Sequence, residues 1–172
     1  MASKLDPKRT TPFGLLRYAR EFTQAAQLVV QASPGTFSTA AHFLASHSIE
    51  LSLKAFLSGR GVPLDELAFK YGHKLDELLD KALSLKLTRI LSINADEQST
   101  IRMLGQHHSA QRFRYIETGT FAVPPWMMVT VVSFKLSHGL EKFCYRKTFG
   151  RRRPTSLSAD DDQGAVPSPR GN

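Results

Sequence analysis

His47, Glu50 and Lys54 stand three and four residues apart within the segment HSIELSLKAFL, residues 47–57. That spacing sets an imidazole, a carboxylate and an ammonium on one face of a helix. Phe43 and Leu57 share the face, and Ile49, Leu51, Leu53 and Phe56 cover most of the remaining circumference. A helix that is apolar nearly all round is central in its fold. Ionised groups on such a helix must be paired, because stranding one buried charge costs about 3–5 kcal/mol. On an exposed face the same Glu50–Lys54 pair would contribute only about 0.3–0.5 kcal/mol. The expected partners are His73, within YGHKLDELL at residues 71–79, and Arg112, Arg114 and Tyr115. Two readings follow from these groups. One is a buried polar cluster that fixes how helices meet the 112–115 segment; the other is a cleft facing a ligand or RNA.

Other chemistries find no support in the spacing. Nothing matches a zinc-binding helix, a nucleophile elbow or a Gly-rich phosphate loop, and Ser48 and Ser52 beside His47 make no triad. No metal and no cofactor is expected. The single cysteine, Cys144, excludes an internal disulfide and any cysteine-rich zinc site, and suits a small core residue.

The elements that must position these groups are helical. Leu15, Leu16, Ala19, Phe22, Ala26, Val29 and Val30 predict a first helix after Pro12, closed by the Ser-Pro-Gly of residues 33–35. Phe37, Ala40, Ala41, Leu44, Ser48, Leu51 and Ala55 predict a second, ending between Gly59 and Gly61. Pro63 opens a short helical turn through Lys70, and Gly72 breaks it. Leu75, Leu78, Leu79 and Ala82 predict a third helix with Asp76, Glu77 and Asp80 outside. Asn94 is a cap for a fourth, with Asp96 and Glu97 in the first turn, where the helix dipole favours acids. Residues 112–119 read as extended or irregular. Pro125, in the first turn, begins a long fifth helix whose inner face carries Val129, Val132, Leu136, Leu140 and Phe143.

The chain is therefore expected to be all-α, an up-and-down bundle of about five helices over residues 12–147. Residues 1–11 are expected to be a flexible N-terminus, and residues 148–172, rich in Arg, Pro, Ser, Asp and Gly, a disordered C-terminal tail. The net charge of +8 is spread over the body, where nineteen basic residues face twelve acidic ones before Thr148. That is a mild attraction for polyanions and not a dense basic patch. The apolar stretch 121–136 is interrupted by Pro124, Pro125 and Lys135, so no membrane span is expected, and a cytoplasmic location follows from the lone cysteine and the polar N-terminus.

HSIELSLKAFL, then YGHKLDELL, then RFRY at residues 112–115, resembles a HEPN domain, the small helical domain named for higher eukaryotes and prokaryotes nucleotide-binding. The motif residues fall on His47, Glu50 and Lys54, on Gly72 and His73, and on Arg114 and Tyr115. The resemblance implies a homodimer belonging to a prokaryotic toxin–antitoxin or anti-phage defence module, with RNA or nucleotides as its target and a nucleotidyltransferase-type partner protein. It also implies two functional states: a metal-independent endoribonuclease, or a non-catalytic binding and assembly domain. The ribonuclease members carry an arginine followed after four to six residues by a histidine, which here falls on Arg102 with His107 or His108. In that role an imidazole exchanges a proton with the RNA 2′-hydroxyl or the leaving oxygen, and the guanidinium stabilises charge growing on the phosphorane. A separation of five residues turns His107 about 140° from Arg102, so the pair needs a second copy across a dimer, or a break at Gly105, to converge.

Overall fold

A computed structural model describes residues 9–32, 34–109 and 122–150. The expected Arg112, Arg114 and Tyr115 lie outside the described residues, as do residues 1–8 and 151–172. The described residues form six α-helices: α1 Pro12–Ala32, α2 Thr39–Gly59, α3 Leu75–Ser84, α4 Ala95–Ser109, α5 Trp126–Gly139 and α6 Glu141–Phe149. A π-helical turn, Glu66–Tyr71, precedes α3, and a 3-10 turn, Leu87–Arg89, follows it. There is no strand among the described residues, and no described helix is long and apolar enough to cross a membrane. The all-α bundle expected from the periodicity is present, with six helices among the described residues in place of about five.

α2 is the central element. Ser38 caps it by accepting the Ala41 N–H, and Ile49, Leu53, Ala55, Phe56 and Leu57 are buried on several of its faces. α1 lies along it through small residues. Ala19, Thr23 and Ala26 on α1 meet Ser48 and its neighbours closely enough for the Ser48 hydroxyl to donate to the Ala19 carbonyl at 2.7 Å. The hydroxyls of Thr23 and Ser48 also share a hydrogen bond of 2.7 Å. Buried hydroxyls are tolerated only when bonded in this way. The six residues between α1 and α2 are too few for anything but an antiparallel hairpin.

At the far end of α2, close approach depends on a missing side chain. A Cβ on Gly59 would stand 2.7 Å from the Phe143 ring of α6. Gly59→Ala should lower the thermal midpoint, because overpacking against a rigid ring, at about 1–3 kcal/mol, exceeds the helix-propensity gain of about 1 kcal/mol. A midpoint equal to or above that of the parent chain would show that α6 shifts freely.

The long fifth helix expected over residues 125–147 is two helices meeting at Leu140. Two contacts from α1 meet this junction. Arg20 Nε donates to the Ser137 carbonyl at 3.0 Å, and its Nη2 pairs with Glu141 at 3.1 Å, so α1 draws on the backbone where α5 ends and α6 begins. The Ser137 hydroxyl donates back to Phe134 within the same turn, a bond that bends helices. The inner residues of the expected helix, Val129, Val132, Leu136, Leu140 and Phe143, are all buried. Pro125 stands one residue before α5, with extended backbone, and not inside its first turn. α6 runs through Phe149, past the boundary expected at Thr148. Thr148 accepts the Phe13 N–H, and Phe149 packs edge-on against the Phe13 ring.

Asn94 and Glu97 cap α4 reciprocally. Asn94 Oδ1 accepts the Glu97 N–H, and Glu97 Oε2 accepts the Asn94 N–H, both at 2.8 Å. Lys135 of α5 then closes on the same carboxylate at 2.7 Å, tying the start of α4 to α5. This fixes the direction in which α4 runs toward the Glu50 face of α2.

Candidate functional site

Glu50 sits in the middle of α2 and is only 1% exposed. One turn on, Lys54 donates its ammonium to Oε1 at 2.6 Å. The other carboxylate oxygen, Oε2, faces imidazoles from three elements. His73 donates through Nδ1 at 2.9 Å, and His108 donates through Nε2 at 2.6 Å. His47 Nδ1 stands 3.6 Å away, beyond hydrogen-bonding distance.

Local structure explains how each group arrives. Gly72, at φ 51° and ψ −118°, ends the π-helical turn in a conformation that favours glycine, and so delivers His73 at the head of α3. His108 lies in the last turn of α4, four residues beyond the buried Leu104, which lies three beyond the buried Ile101. Phe22 of α1 meets the His47 ring edge-on at 4.7 Å, and Phe43 stacks over the same ring at 6.2 Å. Two aromatic rings therefore hold His47 beside the carboxylate.

Burial alone would push the Glu50 carboxyl up, since a low-dielectric setting disfavours its charge. The rings of His108, His47 and His73 and the Lys54 ammonium outweigh that, and hold it well below the usual carboxylate range. Glu50 is therefore ionised at any physiological pH, as the hub of a polar cluster that joins α2, the head of α3 and the end of α4. It is not a proton donor. His73, whose side chain is 38% exposed, is the cluster's most open member, while His108 is closed off. Cys144 is inert by comparison: burial pushes its thiol up to about 12, against a smaller opposing effect of Arg20.

Of the expected polar cluster, His47, Glu50, Lys54 and His73 lie together at this carboxylate, and Arg114 and Tyr115 lie outside the described residues. Arg102, His107 and His108 do not converge within one chain. α4 runs unbroken through Gly105 to Ser109, so its three side chains keep their helical angles and take three different partners. Arg102 Nη2 pairs with Asp80 of α3 at 2.6 Å on the outside of the bundle. His107, buried, donates through Nε2 to the Ala122 carbonyl at 2.7 Å. His108 turns inward to Glu50, 58 residues away in the chain. Sequence reasoning placed His108 with Arg102 and missed it as a Glu50 partner. The signal available was the spacing of Glu97, Ile101, Leu104 and His108, a buried stripe at helical period.

The same convergence has a second chemical reading. One ligand atom each from His47, Glu50 and His108 lies within 4.8 Å of the other two, a grouping of metal-ligating residue types that no linear spacing announced. No family model matches this chain, and neither a curated protein nor a solved structure matches it.

Proposed function

We propose that this chain is a HEPN-like helical domain of a prokaryotic toxin–antitoxin or anti-phage module, with RNA or nucleotides as its target. The observation that supports the reading is the convergence of Lys54, His47, His73 and His108 on the buried Glu50. These are residues of the motifs that carry the resemblance, now joined by the end of α4. A cationic and imidazole-rich rim over a fixed carboxylate suits phosphate and base edges, and the basic excess of the body favours a polyanion. Within the rim, His73 has the exposure needed to meet a ligand.

The test is binding of short single-stranded RNA and of nucleotides to the purified full chain, read by fluorescence anisotropy. Saturable binding is expected, with His73→Ala weakening it about tenfold, in line with losing one charge-assisted contact of about 1.5 kcal/mol. If neither ligand binds, the proposal fails. Cleavage of RNA in excess chelator, lost on Arg102→Ala and on His107→Ala, would assign the chemistry to those residues across two copies of the chain.

A second reading is a non-catalytic domain that acts through dimerisation and a partner protein such as a nucleotidyltransferase. One observation favours it specifically. Met127, Val131 and Phe134 are exposed at helical spacing on α5, an apolar stripe along one face. On this reading Val131→Glu should convert a dimer to a monomer in sedimentation, with the circular dichroism unchanged.

A further inference from the structure

We propose that His47, Glu50 and His108 form a binding site for a divalent transition-metal ion of the zinc, cobalt or nickel type. The inference rests on geometry alone and does not depend on the RNA reading.

Three observations carry it. First, the donor set suits such an ion: two imidazole nitrogens and one carboxylate oxygen, with His47 Nδ1 and His108 Nε2 the nitrogens that face Glu50 Oε2. Imidazole suits zinc, nickel, copper and iron, and two histidines with one carboxylate leave coordination positions open. Second, the spacing fits. Ligand atoms about 2.0–2.2 Å from a tetrahedral ion stand roughly 3.3–3.5 Å from one another. The His108–Glu50 and His47–Glu50 distances of 2.6 and 3.6 Å straddle that value, and no pair exceeds 4.8 Å. Third, His47 Nδ1 is buried and has no hydrogen-bond partner among the described residues, although it points at Oε2 from 3.6 Å. A buried nitrogen left in that state is costly, and a metal ion beside Oε2 is a partner that satisfies it.

The surroundings also fit. Lys54 holds Oε1 at 2.6 Å, which leaves Oε2 as the ligating atom and fixes the carboxylate plane. Phe22 and Phe43 fix the orientation of the His47 ring and form an apolar wall, as the shell around a metal centre commonly does. His108 now donates its Nε2–H to Glu50. Metal entry requires the neutral Nδ1–H tautomer of His108: the Nε2 proton leaves to solvent, the ring carries its one proton on Nδ1, and the freed Nε2 lone pair goes to the ion. His73, more open to solvent and 2.9 Å from Oε2, stands where a fourth ligand or an exchangeable water would enter.

The experiment uses the full chain without a histidine tag, stripped with chelator and titrated with Co²⁺ and then Zn²⁺. Expected are one equivalent of Co²⁺ with visible absorption bands of a low-symmetry site, displaced by Zn²⁺, and a rise in thermal midpoint with Zn²⁺. His47→Ala, which leaves the buried Glu50–Lys54–His108 bonds in place, should weaken Co²⁺ binding at least tenfold with an unchanged circular dichroism spectrum. His138→Ala, on α5, should bind as the parent does. No saturable binding below about 100 μM, a constant corresponding to roughly −5.5 kcal/mol, overturns the proposal. So does binding that His47→Ala leaves unaltered. RNA binding is measured on separate samples, so loss of one activity leaves the other readable.

Discussion

Glu50→Ala is expected to cost about 3–5 kcal/mol and to lower the thermal midpoint by roughly 6–20 °C. Among the described residues, this carboxylate is the anion on which Lys54, His73 and His108 converge through hydrogen bonds. Removing it strands a mostly buried ammonium and takes the acceptor from two imidazoles. The head of α3 and the end of α4 lose their shared anchor on α2. Glu50→Gln should fall between the parent and Glu50→Ala, since the amide keeps one acceptor oxygen and the volume but loses the charge. Urea denaturation followed by circular dichroism measures both. If Glu50→Ala melts within about 2 °C of the parent, the cluster does not organise the bundle.

The same carboxylate sets a direction for pH. Glu50 is held far below its ordinary value of 4.5 in the folded chain. A depressed acid contributes stability that is fully present above the unfolded value, and that stability is lost as pH falls below about 4.5 toward the native value. Stability of the parent should therefore decline on acidification below pH 4.5, and Glu50→Gln should decline less steeply over the same range.

Phe56→Ala should cost about 3–5 kcal/mol for a different reason, the cavity left by a fully buried ring. Phe56 lies on α2 six residues beyond Glu50, 5.1 Å between ring centres from Phe143 of α6, with the Arg60 guanidinium 5.2 Å from its ring. No element from the Glu50 cluster lies between them in sequence except α2 itself. The loss should be close to independent of pH between 3 and 8, whereas that of Glu50→Ala shrinks below pH 4.5. Chemical denaturation at pH 3 and pH 7 separates the two. A Phe56→Ala loss that followed the Glu50 profile would mean that the two ends of α2 are one coupled unit.

Much of this arrangement is written in local spacing. The residues of α2 show three apolar faces and a polar trio, and a helix with that pattern has nowhere to go but the centre. The reciprocal cap of Asn94 and Glu97, the outer acids of α3 and the inner stripe of α5 are equally local, because each depends on residues within one or two turns. The break at Leu140 is local only in part, through the Ser137 hydroxyl that bonds back to Phe134. The contact that meets the junction from outside comes from Arg20, 117 residues from the Ser137 carbonyl it reaches, and no reading of the 126–149 segment contains Arg20.

The site divides along the same line. By itself the sequence determined that His47, Glu50 and Lys54 share a helix face, that the face is buried, and that a partner must neutralise it. Helical period specifies which side chains point the same way, but not which neighbour they meet. Only the tertiary structure decided that α4 presents His108 to Glu50 and Arg102 to Asp80. Three side chains close together in sequence were thereby sent to three different environments, because a helix held between α2 and α3 offers each neighbour a different face.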